Sequence, residues 1–169
     1  MQRIMVIGPC GAGKSTASGT LAEKMNLPLI HLDKLHWSAG WVEGDRDELH
    51  ARLDPIMAQD RWIIDGNYKG SMDVRLERAD TVVYLDYPIP LCFWRAVKRV
   101  WKFHGKSRPD MTEGCPERFD LEFFLYIINW NRDVRPKTEA LLAQTQTPIL
   151  RFKHPKALEA WLNSLEATT

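Results

Sequence analysis

The chain has 169 residues, 44% hydrophobic and 27% charged, and its 23 Lys and Arg nearly balance 22 Asp and Glu for a net charge of +1. That is the size of one domain, 1–169, able to bury roughly 70% of the surface its unfolded form exposes, and the balance offers no overall charge for nucleic acid. Three cysteines, Cys10, Cys92 and Cys115, lie far apart without a C-x-x-C pair, which excludes a disulfide framework and a four-thiolate zinc site and favours a reducing compartment.

Met1-Gln2-Arg3 lead straight into the apolar run Ile4-Met5-Val6-Ile7 with no signal-peptide core. No apolar stretch approaches the roughly 20 residues needed to cross a bilayer, so a soluble cytoplasmic protein is expected. The run reads as a parallel strand buried on both faces, and after the glycine-rich segment that follows it, Ala17, Leu21 and Met25 recur at helical spacing. Leu27 to Asp33 reads as a second strand, Asp45 to Gln59 as a helix, Arg61 to Gly66 as a third strand and Thr81 to Asp86 as a fourth. Pro88 and Pro90 open a helix carrying Trp94, Val97 and Trp101, and Lys106 to Pro116 has loop composition. A second, very apolar helix runs from about Phe119 through Phe123, Phe124, Ile127 and Ile128 until Pro136 ends or kinks it near Arg135. Pro148 to Phe152 gives a fifth strand, and Pro155 opens the last helix, with Ala157, Leu158, Trp161 and Leu165 on one face. Strands alternating with helices predict a parallel, doubly wound α/β sheet with right-handed crossovers.

The segment Gly8-Pro9-Cys10-Gly11-Ala12-Gly13-Lys14-Ser15 fits the phosphate-binding pattern G-x-x-x-x-G-K-[ST] and sits where that loop must sit, between strand and helix. Gly8, Cys10, Gly11, Ala12, Gly13, Lys14, Ser15 and Thr16 are the candidate ATP phosphate site, since inward backbone N–H groups and a helix N-terminus attract phosphate. Lys14 reaches the β- and γ-phosphates in such loops, and the Ser15 hydroxyl ligates Mg²⁺. Ligands of open α/β sheets bind outside the carboxyl ends of the strands. Asp33 and Asp65 both end predicted strands, so they should converge there: Asp65 as a second holder of Mg²⁺, Asp33 to orient or deprotonate an acceptor hydroxyl. Each alone could equally cap a helix or turn.

Arg95, Lys98, Arg99, Lys102, Lys106 and Arg108 follow one another with no acid among them. Lys98, Lys102 and Lys106 suit a solvated face. Arg95 and Arg99, one helical turn apart, are candidates to meet a phosphoryl group in transfer, and Arg132 and Arg135 could approach it from the other side. Arg108 is a further candidate in the loop. His36, Trp37, Trp41 and Tyr68 follow the strands that carry the carboxylates and should border the acceptor pocket, as stacking partners or as ordinary packing.

Trp62-Ile63-Ile64-Asp65-Gly66-Asn67-Tyr68, Leu85-Asp86-Tyr87-Pro88 and Arg95-x-x-x-Arg99 resemble the strand exits and first lid arginines of the adenylate kinase superfamily. More specifically, His31 to Trp37 with Gly40-Trp41, Arg108 to Met111 and Gly114 to Asp120 look like the adenylate-kinase-related group known as DNA topology modulation proteins. The resemblance implies a three-layer P-loop NTPase fold of nucleoside monophosphate kinase type, with a five-stranded parallel sheet and a small helical lid at about 104–119. It sets His154 where the superfamily closes over adenine. It further implies an ATP- and Mg²⁺-dependent small-molecule phosphotransferase, a monomer or weak dimer, whose partner is a phosphoryl acceptor. The rival it suggests is a nucleotide-switched ATPase that regulates by binding DNA. Two departures limit the analogy. The superfamily's nucleoside monophosphate kinases follow the Asp-Gly-aromatic signature with Pro-Arg, whereas Asn67-Tyr68-Lys69 stand here, which argues against conventional adenylate kinase activity. Metal-bearing lids use several cysteines, and His104 with Cys115 predict no structural zinc.

Overall fold

A computed structural model describes residues 1–165. In chain order it contains β1 (Arg3–Ile7), α1 (Lys14–Met25), β2 (Leu29–His31), α2 (Leu32–His36), β3 (Trp37–Ser38), β4 (Val42–Glu43), α3 (Arg46–Met57) and β5 (Trp62–Asp65). A 3-10 turn (Lys69–Ser71) precedes α4 (Met72–Arg78), followed by β6 (Thr81–Leu85), α5 (Ile89–Phe103), α6 (Leu121–Asp133), α7 (Arg135–Leu142), β7 (Ile149–Phe152) and α8 (Pro155–Ser164). The main sheet is five-stranded and parallel in the order β2-β5-β1-β6-β7, as the fold class predicts. β1 lies at its centre, with Val6 opposite Asp65 on one side and Ile7 opposite Tyr84 on the other.

Strand alternation divides the core into two layers of packing. Ile4 and Val6 face Ala17 and Leu21 of α1, Cys92 and Ala96 of α5, Phe124 and Ile127 of α6, and Leu158 of α8. Met5 and Ile7 face Leu49 and Leu53 of α3, Leu76 of α4 and Leu142 of α7. Trp62, Ile63 and Ile64 are 0% exposed, as a strand covered by helices on both sides must be.

The departures from the predicted pattern are local. The second strand stops at His31, so Asp33 stands in the first turn of α2 rather than at a strand end. Between α2 and α3 the chain adds a small antiparallel hairpin, β3-β4. Pro136 lies in the first turn of α7, where proline is compatible with a helix, so the break at Val134 separates two helices. On α5 the buried residues are Cys92, Ala96 and Val100. Trp94 and Trp101 are 56% and 85% exposed, because the α6 contact falls on the opposite stripe. Ile128 of α6 is likewise exposed, and Trp130 is buried in its stead. Among the described residues, no helix is long and apolar enough to cross a membrane.

Candidate active site

The phosphate loop is shaped by close backbone approach. Gly11 adopts φ +82, and a Cβ there would collide with the Cys92 carbonyl of α5, so the first turn of α5 forms the floor of the loop and only glycine fits. The loop is also pinned from the side by Asn67. Its Oδ1 accepts from Gly8 N at 3.0 Å and its Nδ2 donates to Gly8 O at 2.8 Å. Lys14 Nζ donates to Gly8 O and Pro9 O at 2.9 and 3.2 Å, across the mouth of the loop. Behind it α1 begins at Lys14, so the first backbone N–H groups of that helix have no intrahelical acceptors and converge with its dipole on one point.

A cavity of about 1450 Å³ opens beside this loop. Residues 10–16 line it together with Asp33, Asp65, Arg95 and Arg99, as do Trp37, Trp41 and Tyr68. The sequence-predicted residues converge to that extent. Four depart. His36 is buried behind the wall, its Nε2 3.0 Å from Glu43 Oε1 and its ring edge-on to Tyr68. His154 precedes α8 on the exposed surface, and its neighbour Pro155 lines the cavity instead. Arg132 is 73% exposed and pairs with Asp133. Arg135 pairs with Asp86 at 2.8 Å, and Arg151 joins Asp86 to Glu139 in the same network. Neither arginine lines the cavity, so both fall outside the phosphate-facing set that their three-residue spacing suggests. Their neighbours Lys137 and Thr138 do line it.

Asp65 Oδ1 lies 2.9 Å from His31 Nδ1, while Asp65 Oδ2 is buried without a partner. Burial works against the His31 imidazolium, but the hydrogen bond and charge of Asp65 outweigh it and, with Asp110, hold His31 above its ordinary value. Asp33 Oδ1 accepts from the Tyr68 hydroxyl at 3.0 Å. Burial, and then the Asp33 charge, push that phenol well above its usual range.

The 66–71 loop that presents Asn67 and Tyr68 is held from beneath by Arg75, which sequence reading did not single out. Arg75 is 0% exposed and donates to the carbonyls of Ser71, Gly66, Asn67 and Tyr68 at 2.8–3.1 Å. Burial pushes its guanidinium down to about 9, against the pull of Asp65 and Asp73.

Residues 104–120 fold over the other side of the cleft and dock on the β3-β4 hairpin. Gly40 N donates to Gly114 O at 2.8 Å, Thr112 Oγ1 to Trp37 O at 2.7 Å, and Trp41 Nε1 to Pro116 O at 2.9 Å. Glu117, 4% exposed, bridges two arginines from this side: Arg99 Nε at 3.1 Å and Arg108 Nε at 2.6 Å. Burial and the neighbouring Arg108 lower Arg99, Glu117 acting against them. Arg108 also reaches Asp110 at 2.7 Å. Burial alone would raise Asp110, but the Arg108 charge beside it holds it below the carboxylate range. Glu117 and Asp110 are the main site residues that the sequence reading missed; they occurred in the family motifs, but their partners are distant along the chain. Arg95 completes the cationic side, donating to Ala12 O at 3.2 Å.

No protein-family model matches the chain, and no curated protein matches it. Solved structures do. A shikimate kinase from Acinetobacter baumannii in complex with shikimate superposes with a TM-score of 0.64 at 15% identity, over 96% of this chain and 89% of that one. A shikimate kinase from Bacteroides thetaiotaomicron gives 0.56 at 21% identity over 97% and 95%, and a sugar kinase from Janibacter sp. gives 0.52 at 17% identity over 99% and 96%. The likeness is one of fold, spanning nearly the whole of both chains: the chain has the α/β P-loop kinase fold.

Proposed function

We propose that the chain is an ATP- and Mg²⁺-dependent kinase that transfers the γ-phosphoryl group to a hydroxyl of a small molecule. One observation carries the reading: the phosphate loop, Asp33 and Asp65, and Arg95 and Arg99 all open onto one cavity of about 1450 Å³. In this reading the loop amides and Lys14 hold the β- and γ-phosphates. Ser15 and the unpartnered oxygen of Asp65 suit Mg²⁺, which keeps several waters and takes one or two protein ligands beside the phosphates. Bound there, the ion would neutralise charge developing on the phosphates. Asp33 positions the acceptor hydroxyl, and Arg95, Arg99 and Arg108 meet the charge of the transferring group. Residues 104–119 act as the lid of a single domain, and their docking on the hairpin excludes water from the transfer.

The motif resemblance to the DNA topology modulation group belongs to this reading, but DNA handling does not. Arg99 and Arg108 are turned inward, their side chains 25% and 11% exposed, so of the basic run only Lys98, Lys102 and Lys106 are exposed, a short stripe for a DNA surface. The neighbours support a small acceptor, one being a sugar kinase and another a complex with shikimate. Reduced Cys10, Cys92 and Cys115 suit the cytoplasm.

The test is ADP formation from Mg-ATP, scored beside free phosphate, in wild type and Lys14→Ala. The reading expects a fall of at least about 100-fold in turnover with the fold intact by circular dichroism. Unchanged turnover in Lys14→Ala refutes it.

A further inference from the structure

The two ends of the cleft are chemically unlike. At the phosphate end Lys14, Arg95, Arg99 and Arg108 gather around the loop and the 104–120 segment. At the other end the wall is aromatic. The rings of Trp37 and Trp41 meet edge to face at 5.6 Å, Tyr68 stands beside them, and His36 packs behind. Asp33 lies against this wall, held by the Tyr68 hydroxyl through one oxygen only.

An acceptor bearing its own phosphate or carboxylate needs a paired or forked cation at this end, where burial makes an unmatched anion costly. The arginine nearest in sequence to the acceptor loop, Arg75, cannot serve, because it is 0% exposed and engages four carbonyls of that loop. Lys69 and Arg118 line the cavity beside this wall, Arg118 lying 5.9 Å over the Trp41 ring, and Arg99 and Arg108 are already matched by Glu117 and Asp110. Asp33 and Glu43 line it too and balance them. The wall therefore offers flat apolar faces and a hydroxyl-binding carboxylate, without net positive charge.

Resting on the kinase reading above, we infer that the acceptor is a neutral polyhydroxylated ring, a free sugar or the ribose of a nucleoside. Its apolar face packs into the corner formed by the Trp37 and Trp41 rings, and one of its hydroxyls bonds Asp33. In the transfer that hydroxyl oxygen bonds to the γ-phosphorus as the bond from γ-phosphorus to the β–γ bridging oxygen breaks. The hydroxyl proton passes to the Asp33 carboxylate, and ADP leaves with the electron pair.

The experiment compares matched pairs: a nucleoside with its 5′-monophosphate, and an aldohexose with its aldonic acid. ADP and free phosphate are both measured, with Lys14→Ala as blank. The inference expects the neutral member of at least one pair to yield ADP without free phosphate, at a kcat/KM tenfold or more above its anionic counterpart. Trp41→Leu should raise the KM of that acceptor at least tenfold and leave the KM for ATP within twofold. Preference for the anionic members overturns the inference while leaving the kinase reading standing, and so does an acceptor KM that Trp41→Leu leaves unmoved. Lys14-dependent hydrolysis that no acceptor converts into transfer would instead remove the kinase reading. The ring preference is then read from tryptophan emission, titrating nucleoside or hexose with a non-hydrolysable ATP analogue present. Saturable change lost in Trp41→Leu supports the inference, and no change with either neutral ring overturns it.

Discussion

Replacing Arg75 by Met tests whether one buried cation shapes the acceptor side of the cleft. Four carbonyls, those of Ser71, Gly66, Asn67 and Tyr68, take their hydrogen bonds from this guanidinium. In Arg75→Met all four lose that donor, but Tyr68 O keeps the Ser71 N–H and hydroxyl, so three carbonyls carry the loss at roughly 1–3 kcal/mol each. The low end applies, because a carbonyl retains a second lone pair and removing the guanidinium also removes the cost of burying it. The expected loss is then about 3 kcal/mol, which in a chain of this size lowers the melting temperature by roughly 10 °C. Arg75→Lys keeps a charge but offers three donors without the planar fork, and should recover about half of the loss. The assay is urea unfolding with a shared m-value for the three proteins, joined to kinetics at a temperature where all remain folded. Because Asn67 pins Gly8 and Tyr68 holds Asp33, Arg75→Met should also raise the acceptor KM more than the ATP KM. A stability change under about 1 kcal/mol would refute the reasoning, since it would mean the carbonyls find other donors.

Arg99→Ala should lower kcat by about 100-fold or more and shift the KM for ATP only a few-fold, because the proposed mechanism sets this arginine against the transferring group; equal losses in both would favour plain nucleotide binding. Gly114→Ala places a Cβ 2.8 Å from the Ala39 Cβ at a φ of +83. It should lift the 104–119 segment off the hairpin, and the ratio of free phosphate to transferred phosphate should rise; an unchanged ratio would separate docking from water exclusion. Asp80 receives the backbone N–H groups of Gln2 and Arg3 and the Thr81 hydroxyl. Partial burial raises its carboxyl, but those hydrogen bonds pull harder and set it below its ordinary 3.8. Its stabilisation is therefore complete above the unfolded value near 3.8 and is lost as pH falls through the lower folded value. Asp80→Asn should cost about 1 kcal/mol at pH 7 after solvent screening, and progressively less as pH falls below the unfolded value; a difference that acid leaves undiminished would contradict the assignment.

The three central strands β1, β5 and β6 were legible because burial on both faces makes them apolar runs with no periodicity to misread, and the part-buried edge strands β2 and β7 by their short apolar stretches after Pro28 and Pro148. The phosphate loop was legible because its spacing and its strand-to-helix setting coincide. What escaped has physical causes. α2 spans only Leu32–His36 and β3 and β4 only two residues each, lengths at which neither period of three and a half nor period of two can register. α7 was hidden by Pro136, which breaks a helix interior but suits a first turn. Arg132 shares an α6 stripe with Leu121, Leu125 and Ile128, all exposed, so its three-residue spacing from Arg135 carried no common target. Arg135 answers instead to Asp86, 49 residues away, a pairing fixed by how the β6 exit meets α7. Glu117 escaped for the same reason, since a carboxylate between Arg99 and Arg108 is visible only once α5 and the 104–120 segment are brought together.

The hairpin residues that form the aromatic wall are also the ones on which the 104–120 segment docks. Trp37 gives its carbonyl to Thr112, and Trp41 gives its indole N–H to Pro116, while both rings line the cavity. In the proposed kinase an acceptor stacked on these rings would steady the docking surface itself. The docked segment in turn carries Glu117 and Arg108, and through Glu117 it holds Arg99. Acceptor binding, segment docking and the arrangement of the phosphate-facing arginines thus share one set of contacts, and disturbing any member disturbs the others. ATP alone makes no demand on the hairpin, so docking without acceptor gains nothing from the ring contacts. An acceptor on these rings would therefore reinforce an arrangement of the cationic side that the chain already adopts. In the proposed kinase that reinforcement would favour transfer to the acceptor over transfer to water.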